Sequence, residues 1–430
     1  MDVIRPDTEQ ALAEAVTRAA ADGVRLRLLG TGTKASLGAP VKARVVLDVG
    51  ALAGVEEYEP EELTFTALAG TPLAEISAML AERRQFLAFE PPDLAPVLVA
   101  FGATEGDKAG AGAGTLGGMT AVGMAGPRQL LRWSVRDHLL GFTAVNGRGE
   151  LFKAGGKVVK NVTGYDLSKL MCGSFGTLSV LTRLTFRVLP MPERSITLIA
   201  RGLDARRAVA AFASALNTPA EVSGACWLPG GLGGEVPEDA GVNGAGAAEA
   251  HSLACLRVEG FAQSLKSRAE MLRRALRGHG AWDLREGPAW DALWAAVRDA
   301  RPLAARGTGR WLWRIVLPAA AGGALAAALM ARQPDAEILL DRAGGLIWLS
   351  LPLPEPGMAA KTAERLRVLA GEHGGQAMLF AAPEHYREIV RVFPPLPDGL
   401  AALSERVRAP FDPAGILNPG IMDNLPPRMD

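Results

Sequence analysis

Between positions 178 and 188 the even residues Leu178, Val180, Thr182, Leu184, Phe186 and Val188 face one way, while Ser179, Arg183, Thr185 and Arg187 mostly face the other. That period of two predicts a half-buried strand. Just before it, 166–172 reads as a short helix stopped by Gly173, and 173–177 joins helix to strand with little side-chain bulk. The N-terminal stretch alternates helix and strand. Asp7, with Gln10 three residues on, caps a helix whose apolar face is Leu12, Ala15, Val16 and Ala19, and Gly23 ends it. Strands are predicted at 24–29, 45–49 and 63–68, and Thr71-Pro72 opens a second helix with Leu73, Ile76 and Leu80 on one face. Segments 139–145 and 150–153 read as strands joined by a hairpin turn at Asn146-Gly147-Arg148-Gly149. From about 196 to 391 the pattern changes to Ala-rich helices between short apolar strands such as 311–317 and 346–351. The fold class is α+β in two parts.

Size and charge narrow the function. A chain of 430 residues suggests two domains, since roughly 100–200 residues make one. Its 46 basic and 46 acidic residues leave no net field for nucleic acid or an anionic membrane. Cys172, Cys226 and Cys255 form no CxxC pair, so a disulfide framework, a zinc site and an iron–sulfur cluster all lack ligands, which points to a reducing compartment. The first residues show no basic start followed by an apolar core, so a secretory signal is not supported. The uncharged run 315–331 is broken by Pro318 and is short of the roughly 20 apolar residues of a membrane span. It reads as a strand end, a turn and an Ala-rich helix.

Three glycine-rich segments carry the candidate chemistry. Gly30-Thr31-Gly32-Thr33-Lys34-Ala35 imitates a dinucleotide fingerprint, with Asp48 near the ribose-binding spacing, yet Gly38-Ala39-Pro40 leaves no room for the helix that a Rossmann unit requires. Two readings remain: a nest of backbone N–H groups with the Thr31, Thr33 and Ser36 hydroxyls around a diphosphate, or an ordinary tight turn. The second segment, Thr115-Leu116-Gly117-Gly118-Met119-Thr120-Ala121, reads as another loop of hydroxyls and bare backbone and favours the nest. The third is 173–177. Glycine is dense from 101 to 126, while 229–250 reads as a solvated surface loop.

The order GTGTKAS, TLGG, RWSVRDHLLGFTAV, VKNVTGYDLSKLMCGSFGTLSVLTRLTF and, near the end, FDPAGILNPG resembles the FAD-binding domain of the vanillyl-alcohol oxidase / p-cresol methylhydroxylase (PCMH) type. Within that family the chain is similar to FAD-binding subunits of bacterial glycolate oxidase complexes. The resemblance implies a two-subdomain FAD domain over 1–190, an α+β cap over 191–400 and a tail, 401–430, that returns to the FAD domain. It places Gly30, Thr31, Gly32, Thr33, Lys34, Ala35 and Ser36, with Thr115, Gly117, Gly118 and Ala121, around the pyrophosphate. Pro92 would run beside the flavin, Gly173, Thr177 and Leu178 near the adenine and ribose, and Asp137 and Asn418 complete the implied set. Neither a histidine nor a cysteine lies in the first loop, so the FAD is expected to be non-covalent. The implied partners are a catalytic FAD-containing subunit and an iron–sulfur subunit, the implied substrate is glycolate, and the implied location is cytoplasmic, reaching the inner face of the plasma membrane through the complex.

Dehydrogenases of this family that oxidise 2-hydroxy acids alone usually carry an H-G-x-G-D-G-N-x-H motif, which this chain lacks. His373 and His385 read as surface or core-edge residues and His138 as a hydrogen-bonded structural histidine, so no metal ligand and no catalytic base is identified. Trp290 and Trp294, four apart, read as helix packing; Lys169 reads as a local ion-pair partner of Asp166 or, with Lys157 and Lys160, as a cation able to bias a reduced flavin. Two alternatives stand beside the subunit reading. One is a dehydrogenase acting alone, with an arginine such as Arg314 on the substrate carboxylate; the other is a scaffold that has lost its flavin.

Overall fold

The computed structural model describes residues 2–102, 114–131, 133–157, 164–230, 237, 240 and 252–422. Residues 103–113 of the glycine-dense run, Lys160 and most of 229–250 lie outside these.

Strands β1 (Asp2–Ile4), β2 (Leu26–Leu29) and β3 (Val45–Asp48) form a small parallel sheet in the order β1-β3-β2. Helix α1 (Glu9–Ala21) packs on it through Leu12, Ala15, Val16 and Ala19, as their spacing predicts. Its cap is Thr8 and not Asp7: Thr8 is the extended residue, and its hydroxyl accepts the Ala11 N–H at 3.2 Å. β2 starts later than predicted because the Val24 N–H is still bonded to Ala19 O at the end of the helix.

A five-stranded antiparallel sheet follows, from β4 (Val55–Glu59), β5 (Thr64–Leu68), β7 (Leu139–Asn146), β8 (Leu151–Gly155) and β9 (Ser179–Arg187), in the order β4-β5-β9-β7-β8. The short β6 (Gln85–Phe86) and β10 (Leu189–Pro190) pair beside it. Helices α2 (Leu73–Glu82), α3 (Ala95–Ala100), α4 (Leu116–Val122), α5 (Val135–His138) and α6 (Leu167–Met171) join these strands. The even-position alternation of β9 holds only over part of its length. Thr143 faces Arg183 and Ala144 faces Leu181, so Thr182 is an extra residue, a bulge. Val180 therefore faces the small sheet, while Leu181, Leu184 and Phe186 enter the core of the larger one. Thr182 is fully buried in the bulge, its hydroxyl donating to Glu9 Oε1 at 2.6 Å and its carbonyl accepting the Ala69 N–H.

The second part is one eight-stranded antiparallel sheet: β11 (Arg194–Arg201), β12 (Val222–Leu228), β13 (Leu253–Gly260), β14 (Asp283–Arg285), β15 (Arg310–Val316), β16 (Glu337–Asp341), β17 (Leu346–Pro352) and β18 (Gln376–Ala381). Their order is β14-β11-β13-β12-β16-β17-β15-β18. Its outer face, with Trp227, Trp311 and Trp313, lies under helices Ala205–Leu216, Ala262–Ala275, Ala319–Arg332 and Pro356–Glu372. Its inner face, with Cys226, Cys255, Leu312, Trp348 and Phe380, packs on Leu94, Val97, Leu98 and Phe101 of the first part and on Leu37 and Phe175. Trp290 and Trp294 belong to that inner core. The chain then returns: Leu417 bridges Leu26 in parallel, extending the first sheet.

Candidate functional site

β2 runs into a turn, Gly30 to Leu37, that never becomes a helix. Two bonds hold it, Ala35 N–H to Gly32 O at 3.1 Å and Leu37 N–H to Lys34 O at 3.0 Å. Among the described residues the N–H groups of Thr31, Gly32 and Thr33 donate to no protein acceptor. Asp48 pairs with Arg5 and caps the Gly50 N–H at 2.9 Å, so it has no ribose role of the Rossmann kind.

The second segment differs from its prediction as a loop. Thr115 is the N-cap of α4, its hydroxyl accepting the Gly118 N–H at 3.2 Å, while the Leu116 and Gly117 N–H groups donate to Thr71 O and Ala69 O. The donors of this turn are spent on the protein; what it offers is close approach. A Cβ on Gly30 would stand 2.7 Å from Thr115 Oγ1, so the loop and the helix meet only because residue 30 is glycine.

Together these segments line a cavity of about 790 Å³, counting its open mouth. Gly30, Thr31, Gly32, Thr33, Lys34, Ala35, Thr115, Gly117, Gly118, Ala121 and Asn418 are all on its wall. Phe175 and Gly176, inside the third glycine-rich segment, also line it, as do Ser179, Leu181 and Ile421, which sequence reasoning missed. The Phe175-Gly176 placement was legible only as a bulk-free linker; the bulge in β9 and the return of the C-terminal segment are long-range.

Six expected residues do not line the cavity. Ser36 is buried behind the turn, its carbonyl accepting from Arg387 at 2.7 Å. Asp137 is consumed in a capping box with Ser134. Gly173 donates to Thr120 O, Thr177 bonds back to Ser174 O, and Leu178 is in the core of the larger sheet. Pro92 is buried beside Asp93, whose N–H donates to Asp299 of the second part at 2.9 Å.

Asn418 latches the walls. Its Oδ1 accepts the Leu28 N–H at 2.8 Å, its Nδ2 donates to Phe175 O at 2.8 Å, and it is 5% exposed. Burial pushes the Lys34 ammonium down to about 8, with Asp93 opposing. Burial pushes the Cys172 thiol up to about 12, and Cys172 is not on the cavity wall. His138 is buried, with Nδ1 3.0 Å from Ser134 O and the ring edge-on to Phe89; burial lowers its pKa. Lys157 is bound to Glu57 and Glu59 and Lys169 to Asp166, so neither faces the cavity as a flavin-biasing charge.

A buried ion network joins the two parts. Glu90 accepts from both Arg257 Nη1 and Nη2, at 3.0 and 2.9 Å, and lies 2.7 Å from Arg128. Arg128 in turn grips Glu259, which also accepts from Ser223 at 2.6 Å. Burial would raise the Glu259 carboxyl, but Arg257 and Arg128 outweigh it and hold it at about 2. The network fixes the sheet over Glu90-Pro91-Pro92, and no sequence signal pointed to it.

The FAD binding domain family matches residues 2–113. Over 97% of both chains the protein is 34% identical to glycolate oxidase subunit GlcE of Escherichia coli. The chain belongs to this PCMH-type FAD-binding family. It is also 28% identical to glycolate oxidase subunit GlcD of Bacillus subtilis, over 46% of this chain and 39% of that one. The solved 4-ethylphenol oxidase from Gulosibacter chungangensis shares the fold, with a TM-score of 0.69 at 15% identity over 100% of this chain and 90% of that one. FAD is accordingly the cofactor, and the chain is an FAD-linked oxidoreductase. The cavity fits that group: bare N–H donors stand on one wall, and apolar Leu181, Phe175 and Ile421 on the others. Among the described residues no helix is long and apolar enough to cross a membrane, and no group of three or more His, Cys, Asp or Glu residues is placed to hold a metal.

Proposed function

We propose that the chain is the FAD-binding subunit of a glycolate-oxidising complex, working beside a catalytic flavin subunit and passing electrons to an iron–sulfur subunit. The observation that carries this is similarity to GlcE along 97% of both chains, joined to an intact small-residue cavity. In this reading the N–H groups of Thr31, Gly32 and Thr33 hold the diphosphate, and Gly30, Gly117 and Gly118 let it approach. Phe175, Gly176 and Asn418 form the far wall, and the FAD is non-covalent. In the overall reaction of the complex, flavin would supply the acceptor for the hydride that leaves the 2-carbon of glycolate, giving glyoxylate. The chain's own contribution is to hold the cofactor and exclude water where the apolar part of the eight-stranded sheet's inner face packs on Leu37 and Phe175 of the cavity wall. The complex is placed in the cytoplasm, peripheral to the membrane.

The test uses the purified chain and its visible spectrum during anaerobic addition of glycolate. A yellow protein that stays oxidised alone and bleaches once the partner subunits are added supports the proposal. Bleaching of the chain alone places the oxidation within it and favours the solitary dehydrogenase, and a colourless chain that cannot be loaded with FAD favours the scaffold.

A further inference from the structure

The inner face of the eight-stranded sheet carries charges that the cofactor cavity does not use. Along β15, Trp311, Trp313 and Ile315 belong to the outer core, so Leu312 and Arg314 face inward; along β16, Ile338 and Leu340 are outer, so Leu339 and Asp341 are inner. β17 lies between them, with Trp348 opposite Arg314 and Leu346 opposite Asp341. The Arg314 guanidinium sits 6.0 Å from the centre of the Trp348 ring and makes no hydrogen bond or ion pair among the described residues. Arg342 follows Asp341 and reaches to the first part, donating to Ala125 O at 2.6 Å, three residues beyond Val122 on the cavity wall. Its Nε is buried without a partner. Arg342 and Ala343 hold left-handed φ values of 52° and 59°, a strained turn that aims the arginine inward.

The charges there do not balance. Arg128 and Arg257 are paired with Glu90 and Glu259, whereas Arg314 and Arg342 share the single carboxylate of Asp341, which leaves one positive charge in excess. Burial lowers Arg314 to about 9 and Arg342 pushes the same way, with Asp341 opposing. A half-buried guanidinium over an indole, with a second guanidinium near it, suits a small planar anion that accepts paired hydrogen bonds.

We propose that Arg314, assisted by Arg342, binds the carboxylate of a small organic acid on the inner face of the sheet, so that this chain has an acid-binding site of its own. The acid's class, a 2-hydroxy acid, rests on the function proposed above; the anion site does not. Recognition of a carboxylate does not by itself oxidise it, so the site is compatible with turnover that needs the partner subunits.

Calorimetric titration of the purified full chain with oxalate, a carboxylate that supplies no hydride, tests this. Saturable binding is expected, weakened about ten- to hundredfold in Arg314→Met, the loss expected of a charge-assisted pair, and less in Arg314→Lys, which keeps the charge but not the planar fork. Absence of oxalate binding, binding unchanged in Arg314→Met, or equal binding of sulfate would overturn the proposal. If Arg314→Met does not fold, Arg314→Lys and Arg342→Lys carry the test, each expected to weaken binding while the absorbance spectrum shows the flavin retained. The two proposals fail separately. A colourless chain that binds oxalate removes the flavin reading alone, and a yellow chain that does not bind it removes the acid site alone.

Discussion

Replacing Asn418 by alanine should damage both stability and cofactor retention, because one side chain spans two walls of the cavity. Asn418→Ala strands the Leu28 N–H and the Phe175 carbonyl, two groups that the amide now satisfies at 2.8 Å each. Leaving a buried donor or acceptor unpaired costs about 1–3 kcal/mol apiece. Asn418 also holds φ at 44°, where asparagine is tolerated and alanine costs roughly 1–2 kcal/mol more. The sum, about 3–8 kcal/mol, is comparable to the whole stability of many domains. Asn418→Gly relieves the backbone cost but not the lost bonds, so it should recover roughly 1–2 kcal/mol of that loss. Chemical denaturation of the three proteins, with flavin absorbance per polypeptide measured alongside, provides the comparison. Since Phe175 and Gly176 line the cavity beside Asn418, flavin content should fall with stability. An Asn418→Ala protein with wild-type stability and full FAD would refute the latch.

Gly30→Ala should lower FAD content, because its Cβ would sit 2.7 Å from Thr115 Oγ1 and force the loop off α4; equal flavin absorbance in variant and wild type would contradict this. Glu259 is held at about 2, below the usual carboxylate value, so its stabilisation is complete above pH 4.5 and is lost as pH falls toward 2. Glu259→Gln should cost about 3–5 kcal/mol near neutral pH, since it breaks a buried ion network, and should flatten the acid limb of a melting-temperature profile. Acid precipitation of the purified protein should release all of the yellow colour to the supernatant, because the first loop holds no histidine or cysteine and Cys172 is off the cavity wall; colour in the pellet would mean a covalent link.

Local chemistry was readable in the chain, and long-range placement was not. The apolar spacing of Leu12, Ala15, Val16 and Ala19 identified α1, and Gly38-Ala39-Pro40 correctly excluded a Rossmann helix after the first loop. The Thr115 segment was misread because glycines at positions 117 and 118 signal a loop locally, whereas Thr115 capping and close packing on Ala69 make them helical. Asp137 and Ser36 carry hydrogen-bonding groups suited to a ligand, but a capping box and a place behind the turn decide their roles. Thr182 carried no bulge signal, since an extra residue in β9 is defined only by its partner β7. Arg314 was named for its chemistry alone; that it shares a sheet face with Asp341 and lies over Trp348 follows from strand order and register.

The central claim is that this chain holds FAD yet depends on partner subunits to oxidise glycolate. The most direct measurement is the flavin absorbance of the purified chain under anaerobic glycolate, first alone and then with its partner subunits added. The account predicts a spectrum that stays oxidised alone and bleaches in the complex; full bleaching by the isolated chain would contradict it.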